Sequence, residues 1–220
     1  MIPPATEALQ RALLKLGPQD KEYLLNSISQ SDEAIIFGSF AYGCETSESD
    51  LDVLLIGSGR RRKSKHLDLL WLPCSNLNLK TWLGSELASH IATYGLWLKG
   101  NGSWKSKAEI TKTTINKKKL KILYALSHLY IKRPDLSINS RLQILSKILL
   151  DIFRLSYLVK KIAVPPTLVV RNKIASYDPQ NLDSLVHDLL GDVGTVLINN
   201  SLHNLELNQL WYQILHEQNM

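Results

Sequence analysis

The spacing of apolar residues changes period twice along the chain. Residues 5–16 place Ala8, Leu9, Ala12, Leu13 and Leu16 at helical intervals, and Gly17-Pro18 ends the pattern. A second short helix fits residues 19–30, with Tyr23, Leu24, Ser27 and Ile28 on related faces. The period then shortens. Ala34-Ile35-Ile36-Phe37 is an apolar run ending at Gly38, which predicts a buried strand. Asp50 to Ile56 predicts another, with Leu51, Val53 and Leu55 on one face and Asp50, Asp52 and Leu54 on the other. Gly57 to Lys65 is expected to be a basic loop. His66 to Leu72, closed by Pro73, is the third strand candidate. With only that loop between them, the second and third strands are expected to pair antiparallel.

After Pro73 the helical period returns. Leu83 to Tyr94 predicts an amphipathic helix ending at Gly95, and Leu96 to Trp104 is expected to be a loop. Further helices are expected over 106–132, 138–163, 179–190 and 202–217; the first three stop at Arg133-Pro134, Pro165-Pro166 and Gly191. No internal repeat interrupts the series. The expected fold class is α+β: a small mixed sheet with flanking helices, then an all-helical C-terminal domain. The boundary falls near Trp104, giving domains 1–104 and 105–220.

Bulk properties narrow the picture modestly. The 220 residues suffice for one large domain or two small ones. The start, Met1-Ile2-Pro3-Pro4, lacks the basic and apolar regions of a signal peptide. The most apolar stretch, Leu142 to Val164, contains Lys147, Asp151, Arg154, Lys160 and Lys161, so no membrane span is expected. Cys44 and Cys74 lack metal-ligand spacing, and a cytoplasmic location is expected. The net charge of +6 favours an anionic partner: a nucleoside triphosphate, nucleic acid or an acidic protein.

The chemistry concentrates on the first two strands. Asp50 and Asp52 are two apart on a strand, so they project from one face, with Cα atoms about 7 Å apart. Unit charges 4 Å apart repel by about 4 kcal/mol at an effective dielectric of 20, and a hard divalent cation between them removes that penalty. The Gly38-Ser39 turn follows a strand and opens a short helix, Phe40-Ala41-Tyr42. Glycine lets a phosphate approach the backbone, and free N–H groups with a serine hydroxyl make an anion site. Asp68 lies on the strand expected beside Asp50–Ile56, within reach as a third carboxylate. Three carboxylates around two metal ions suit in-line displacement at phosphorus, with Asp68 also placed to act as general base.

Gly38-Ser39, ten residues, then Asp50-x-Asp52 resembles the signature of the DNA polymerase beta nucleotidyltransferase superfamily. Phe40-Ala41-Tyr42-Gly43 and Ser49 to Leu55 fit its small, single-site members, including antibiotic nucleotidyltransferases and the minimal nucleotidyltransferases of toxin–antitoxin pairs. The resemblance covers about residues 33–72. It implies a metal-dependent enzyme that transfers NMP, with ATP the first choice of donor, to an acceptor hydroxyl and releases pyrophosphate. It implies Asp50, Asp52 and Asp68 as catalytic metal ligands for two Mg²⁺ ions, or Mn²⁺ in their place. Gly38 and Ser39 are implied as binders of the β/γ phosphates. It further implies a helical C-terminal domain that binds the acceptor or closes over the nucleotide.

Other features leave alternatives open. Arg60, Arg61, Arg62 and Lys63, with Lys65, form either a solvated hairpin tip or a contact to nucleic acid, triphosphate or an acidic protein. Lys112, Lys117, Lys118, Lys119 and Lys121 read first as a solvated helix face. Tyr94, Trp97 and Trp104 serve core packing or base stacking, and Trp211 and Tyr212 the core. His128, His187, His203 and His216 are dispersed, so no catalytic histidine or zinc site is assigned. The acceptor stays open among protein, RNA and a small molecule, although cationic aminoglycosides suit a basic protein poorly. The competing functions are an antitoxin-like interaction protein and a nucleic-acid-binding module on a degenerate transferase fold.

Overall fold

The structure, a computed structural model, describes residues 4–201. The helix expected over 202–217, with His203, Trp211, Tyr212 and His216, lies outside the described residues. The chain divides into two compact units. One runs to Ile110 and includes Pro165–Leu168; the other comprises Thr111–Val164 and the residues from Val169 onward.

The first unit opens with α1 (Pro4–Lys15) and α2 (Pro18–Gln30). Pro18 suits the first turn of α2, where its missing N–H has no intrahelical acceptor to lose. There follow β1 (Glu33–Phe37), α3 (Gly38–Tyr42), β2 (Leu51–Ile56), β3 (Arg62–Lys63), β4 (Leu67–Leu72), α4 (Lys80–Leu83), α5 (Glu86–Tyr94) and β5 (Leu96–Lys99). The five strands form one mixed sheet in the order β3-β4-β2-β1-β5. This is the expected α+β class.

Both faces of the sheet are covered, which is why β1 and β2 read as near-continuous apolar runs. On one face Ala8, Ala12, Leu16, Leu24 and Phe40 pack against Ile36, Val53, Leu55, Leu67 and Leu69. On the other, Ala88, Ile91 and Trp104 pack against Ile35, Leu54 and Ile56. Ser85 caps α5 by accepting the Ala88 N–H at 3.0 Å, which fixes where that helix begins.

The strand pairing corrects one expectation. β2 and β4 are parallel, with Asp52 opposite Asp68 and Leu54 opposite Leu70. A hairpin between them would need a loop of two to five residues, roughly half the length of the connection present. The extra length carries β3, which pairs antiparallel with the outer edge of β4. The basic segment expected to be a loop is therefore partly an edge strand. Its path is pinned to α2. The Arg62 guanidinium donates to Asp20 Oδ1 at 3.0 and 2.7 Å and lies 4.5 Å over the Tyr23 ring, while Ser64 Oγ donates to Asp20 Oδ2 at 2.7 Å.

Gly59 fits this crossover because it runs against the Trp71 indole. A Cβ there would sit 2.1 Å from Trp71 Cε2. Gly59→Ala is expected to destabilise the protein by about 1–3 kcal/mol through overpacking. Urea unfolding checks it, and an unchanged midpoint would show that the crossover is not held against the indole.

A second correction concerns Leu96–Trp104, expected to be a loop. Leu96–Lys99 is β5, antiparallel to β1, with a bulge between Ala34 and Ile35. Four residues are too few to display a strand period, and glycines follow immediately. Side chains hold this edge: Trp97 Nε1 donates to Glu33 Oε2 at 3.1 Å, and Lys99 Nζ donates to the Ser29 carbonyl at 2.8 Å and to that of Ser31.

The second unit is helical: α6 (Lys112–Lys132), α7 (Ile138–Val159), α8 (Thr167–Ala175) and α9 (Leu182–Ser201). Helix α9 bends at Gly191, where φ is 73°. Ser137 caps α7, accepting the Ser140 N–H at 3.2 Å. Ile122, Leu126 and Leu129 of α6, Leu145, Ile152 and Leu155 of α7, and Val186, Leu189 and Ile198 of α9 are buried. Helix α8 was not expected; it is short, and the preceding Pro165-Pro166 reads only as a stop. Lys118 and Lys121 both reach Asp151, at 3.0 and 2.7 Å, so part of the basic face of α6 is an internal ion pair. Among the described residues no helix is long and apolar enough to cross a membrane.

Candidate active site

The carboxylate cluster follows from strand alternation and register. Along β2, Leu51, Val53 and Leu55 face α1 and α2, so Asp50, Asp52, Leu54 and Ile56 face the other way. Leu54 and Ile56 are covered on that side by α5 residues. Asp50 and Asp52 lie at the strand's opposite end. The parallel register then places Asp68 of β4 directly beside Asp52. One carboxylate oxygen from each of Asp50, Asp52 and Asp68 lies within 4.8 Å of the others. Asp68 thus lies on the strand next to Asp50–Ile56, as expected, although the two strands run parallel and not antiparallel.

The glycine turn abuts the same cluster. Phe37, the last residue of β1, pairs with Asp52, so the chain leaves the sheet beside that side chain. Gly38 has φ +71°, and a Cβ there would lie 2.5 Å from Asp52 Oδ2. Glycine is required on both counts: backbone conformation and contact. Helix α3 ends at Gly43, φ 73°, where the Cys44 N–H donates to the Ser39 carbonyl at 3.0 Å.

Aromatic residues of α5 flank this turn. The Gly38 N–H donates to His90 Nε2 at 3.4 Å. His90 lies 5.3 Å from the Tyr94 ring, which in turn meets Tyr42 at 5.5 Å. Nothing in the residue pattern singled out His90. Its only signal was the helical i, i+4 spacing to Tyr94. Trp97 and Trp104 pack instead with Trp82 in the core beneath α5; Trp104 is 2% exposed.

The basic segment supplies the rest of the site. Arg61 donates to both oxygens of Asp68, Nε to Oδ1 at 3.2 Å and Nη2 to Oδ2 at 2.8 Å. Lys63 Nζ donates to Asp68 Oδ2 at 3.0 Å and stands 3.8 Å from Asp50 Oδ2. The cationic run therefore splits by role. Arg62 fastens the edge strand, while Arg61 and Lys63 face the carboxylates.

A family model described as a nucleotidyltransferase domain matches residues 22–158, more than half of the chain. The chain belongs to that family. The protein is a nucleotidyltransferase, and the match spans the glycine turn and all three aspartates. No curated protein matches it. Among solved structures, a nucleotidyltransferase-like protein from Exiguobacterium sibiricum is similar at 14% identity and a TM-score of 0.40, over 88% of this chain and 73% of that one. The family assignment rests on the model match.

In this nucleotidyltransferase Asp52 and Asp68 are in different electrostatic states. Burial opposes the charge of Asp68, but hydrogen bonds from Arg61 and Lys63, and their charges, outweigh it and hold the carboxyl below the usual range. Among the described residues Asp52 has no such hydrogen-bond partner. Burial first, then the charges of Asp50 and Asp68, push it up to about 7, and Lys63 offsets this only in part. With all three aspartates ionised, Arg61 and Lys63 leave one negative charge unbalanced, at the carboxylates beside Gly38. An all-oxygen donor set with uncompensated charge fits a hard divalent ion such as Mg²⁺.

Proposed function

We propose that this protein transfers a nucleoside monophosphate, with ATP as the favoured donor, to an acceptor hydroxyl and releases pyrophosphate. One observation carries the reading. Three carboxylates, their oxygens within 4.8 Å, lie directly against a glycine turn whose Cα has no room for a side chain. Asp50, Asp52 and Asp68 would hold Mg²⁺ or Mn²⁺. When bound, such ions neutralise the triphosphate and activate the attacking oxygen. Gly38 and Ser39 receive the β/γ phosphates, since the bare glycine permits a close approach. Asp68 has the further role of accepting the acceptor proton, once its two cations are drawn elsewhere.

The surroundings favour an anionic or neutral acceptor, an RNA end or a protein hydroxyl. The chain carries a net charge of +6, and a cationic aminoglycoside would meet it as like charge. A binding-only role leaves the crowding of Asp52 against Asp50 and Asp68 without a use.

The test is incubation of the full chain with Mg²⁺ and each α-labelled nucleoside triphosphate, with total RNA or a protein mixture as acceptor. Label from ATP should enter one acceptor class, with pyrophosphate released. Absence of transfer and of pyrophosphate with all four nucleotides and both acceptors would sink the reading.

A further inference from the structure

Both oxygens of Asp68 are taken. Arg61 Nε and Nη2 grip one each, and Lys63 Nζ shares Oδ2. A carboxylate so occupied is a poor ligand until at least one cation leaves. The two cations differ from Arg62, which is locked to Asp20 and stacked on Tyr23. The Arg61 and Lys63 side chains are each 61% exposed, whereas Asp68 is 8% exposed. The carboxylate is thus fixed and the cations are the parts free to swing. They also adjoin the carboxylates against which a metal-bound triphosphate would sit.

We propose that Arg61 and Lys63 are substrate-binding residues for the anionic tail of the triphosphate, and that they hold Asp68 until that tail arrives. This rests on the nucleotidyl-transfer reading above. Charge counting gives the reason. Three aspartates with two cations carry a net −1, so a lone divalent ion overshoots to +1 while expelling a cation from its partner. Two divalent ions arriving with a tetra-anionic triphosphate restore the net −1 of the empty site, the aspartates facing the ions and Arg61 and Lys63 facing phosphate oxygens. Uptake of the ion is therefore coupled to nucleotide, and the basic edge strand is the coupling element. Arginine suits the post, because its fork serves a carboxylate or a phosphate with the same bidentate geometry.

The experiment is calorimetric titration of the full chain with Mn²⁺, with and without an ATP analogue carrying a methylene bridge between the α and β phosphorus. The parent should bind Mn²⁺ weakly alone and roughly tenfold or more tightly with the analogue, as expected for a coupling of this kind. The R61Q/K63Q variant should bind Mn²⁺ alone about tenfold more tightly than the parent, and lose most of the enhancement by analogue. Its KM for ATP should rise more than its kcat falls. The R61K/K63R variant keeps both charges and should stay closer to the parent than R61Q/K63Q does, which separates charge from packing, and circular dichroism checks that each variant folds. Unchanged or weaker Mn²⁺ binding by folded R61Q/K63Q would overturn the proposal while leaving the function intact. Failure of the parent to bind Mn²⁺ even with analogue would overturn both.

Discussion

Replacing Asp52 by asparagine is expected to abolish nucleotidyl transfer while leaving the chelator-treated protein at least as stable as the parent. The two halves share one cause. Asp52 is pushed up to about 7 by burial and by the charges of Asp50 and Asp68. Its folded pKa therefore lies above the ordinary 3.8, and the fold holds its proton more tightly than the unfolded chain does. That contribution is complete below about pH 4 and is lost as pH rises through about 7. Above that, the ionised group costs the fold on the order of 4 kcal/mol relative to its protonated state. Asp68 does not confuse the window. Its lowered carboxyl contributes stability above the ordinary range, lost only in acid. Asparagine keeps the shape and removes the charge, so thermal melts of Asp52→Asn should vary less between pH 5 and 8 than the parent's. A parent whose stability is flat across that range would contradict the like-charge argument. Divalent binding demands the ionised form, so Mn²⁺ should raise the parent's midpoint more at pH 8 than at pH 6, and scarcely move the variant's.

What the pattern of residues discloses depends on how local the cause is. The alternation of Leu51, Val53 and Leu55 with Asp50 and Asp52 is a property of one strand, so the face carrying the carboxylates could be read directly. The Gly38 turn was readable for the same reason: β1 is a short apolar run and glycine ends it. Pairing is not local. A ten-residue connection from Gly57 to His66 is compatible with a long hairpin or with a crossover, and only the packing of Gly59 on Trp71 and of Arg62 on Asp20 selects the second. Asp68 was legible through burial in an apolar segment, and its position survived the wrong pairing because both arrangements put β4 beside β2. Arg61 and Lys63 were visible as charges but not as partners of Asp68, since charge runs are mostly solvated. His90 was invisible, because its role exists only where α5 meets the end of β1.

Gly38→Ala and Gly43→Ala should separate backbone strain from contact, and the first is expected to lose transfer by at least about a hundredfold, the scale on which misplacing catalytic groups by an ångström acts. Both glycines have nearly the same left-handed φ, +71° and +73°. Alanine there costs each about 1 kcal/mol or more of stability. Their surroundings differ. At Gly43 a Cβ meets nothing within 4 Å, while at Gly38 it would stand 2.5 Å from Asp52 Oδ2. Retreat of that carboxylate is opposed by the charges of Asp50 and Asp68, whose oxygens lie within 4.8 Å. The methyl must displace the carboxylate or shift the turn, and either change separates the two halves of the triphosphate grip. Gly43→Ala should therefore melt earlier than the parent and keep its turnover at a temperature where it stays folded. Gly38→Ala should show a comparable loss of stability with little transfer left and weakened Mn²⁺ binding. Equal activity in the two variants, at equal folded fraction, would mean that the contact between turn and carboxylate has no part in catalysis.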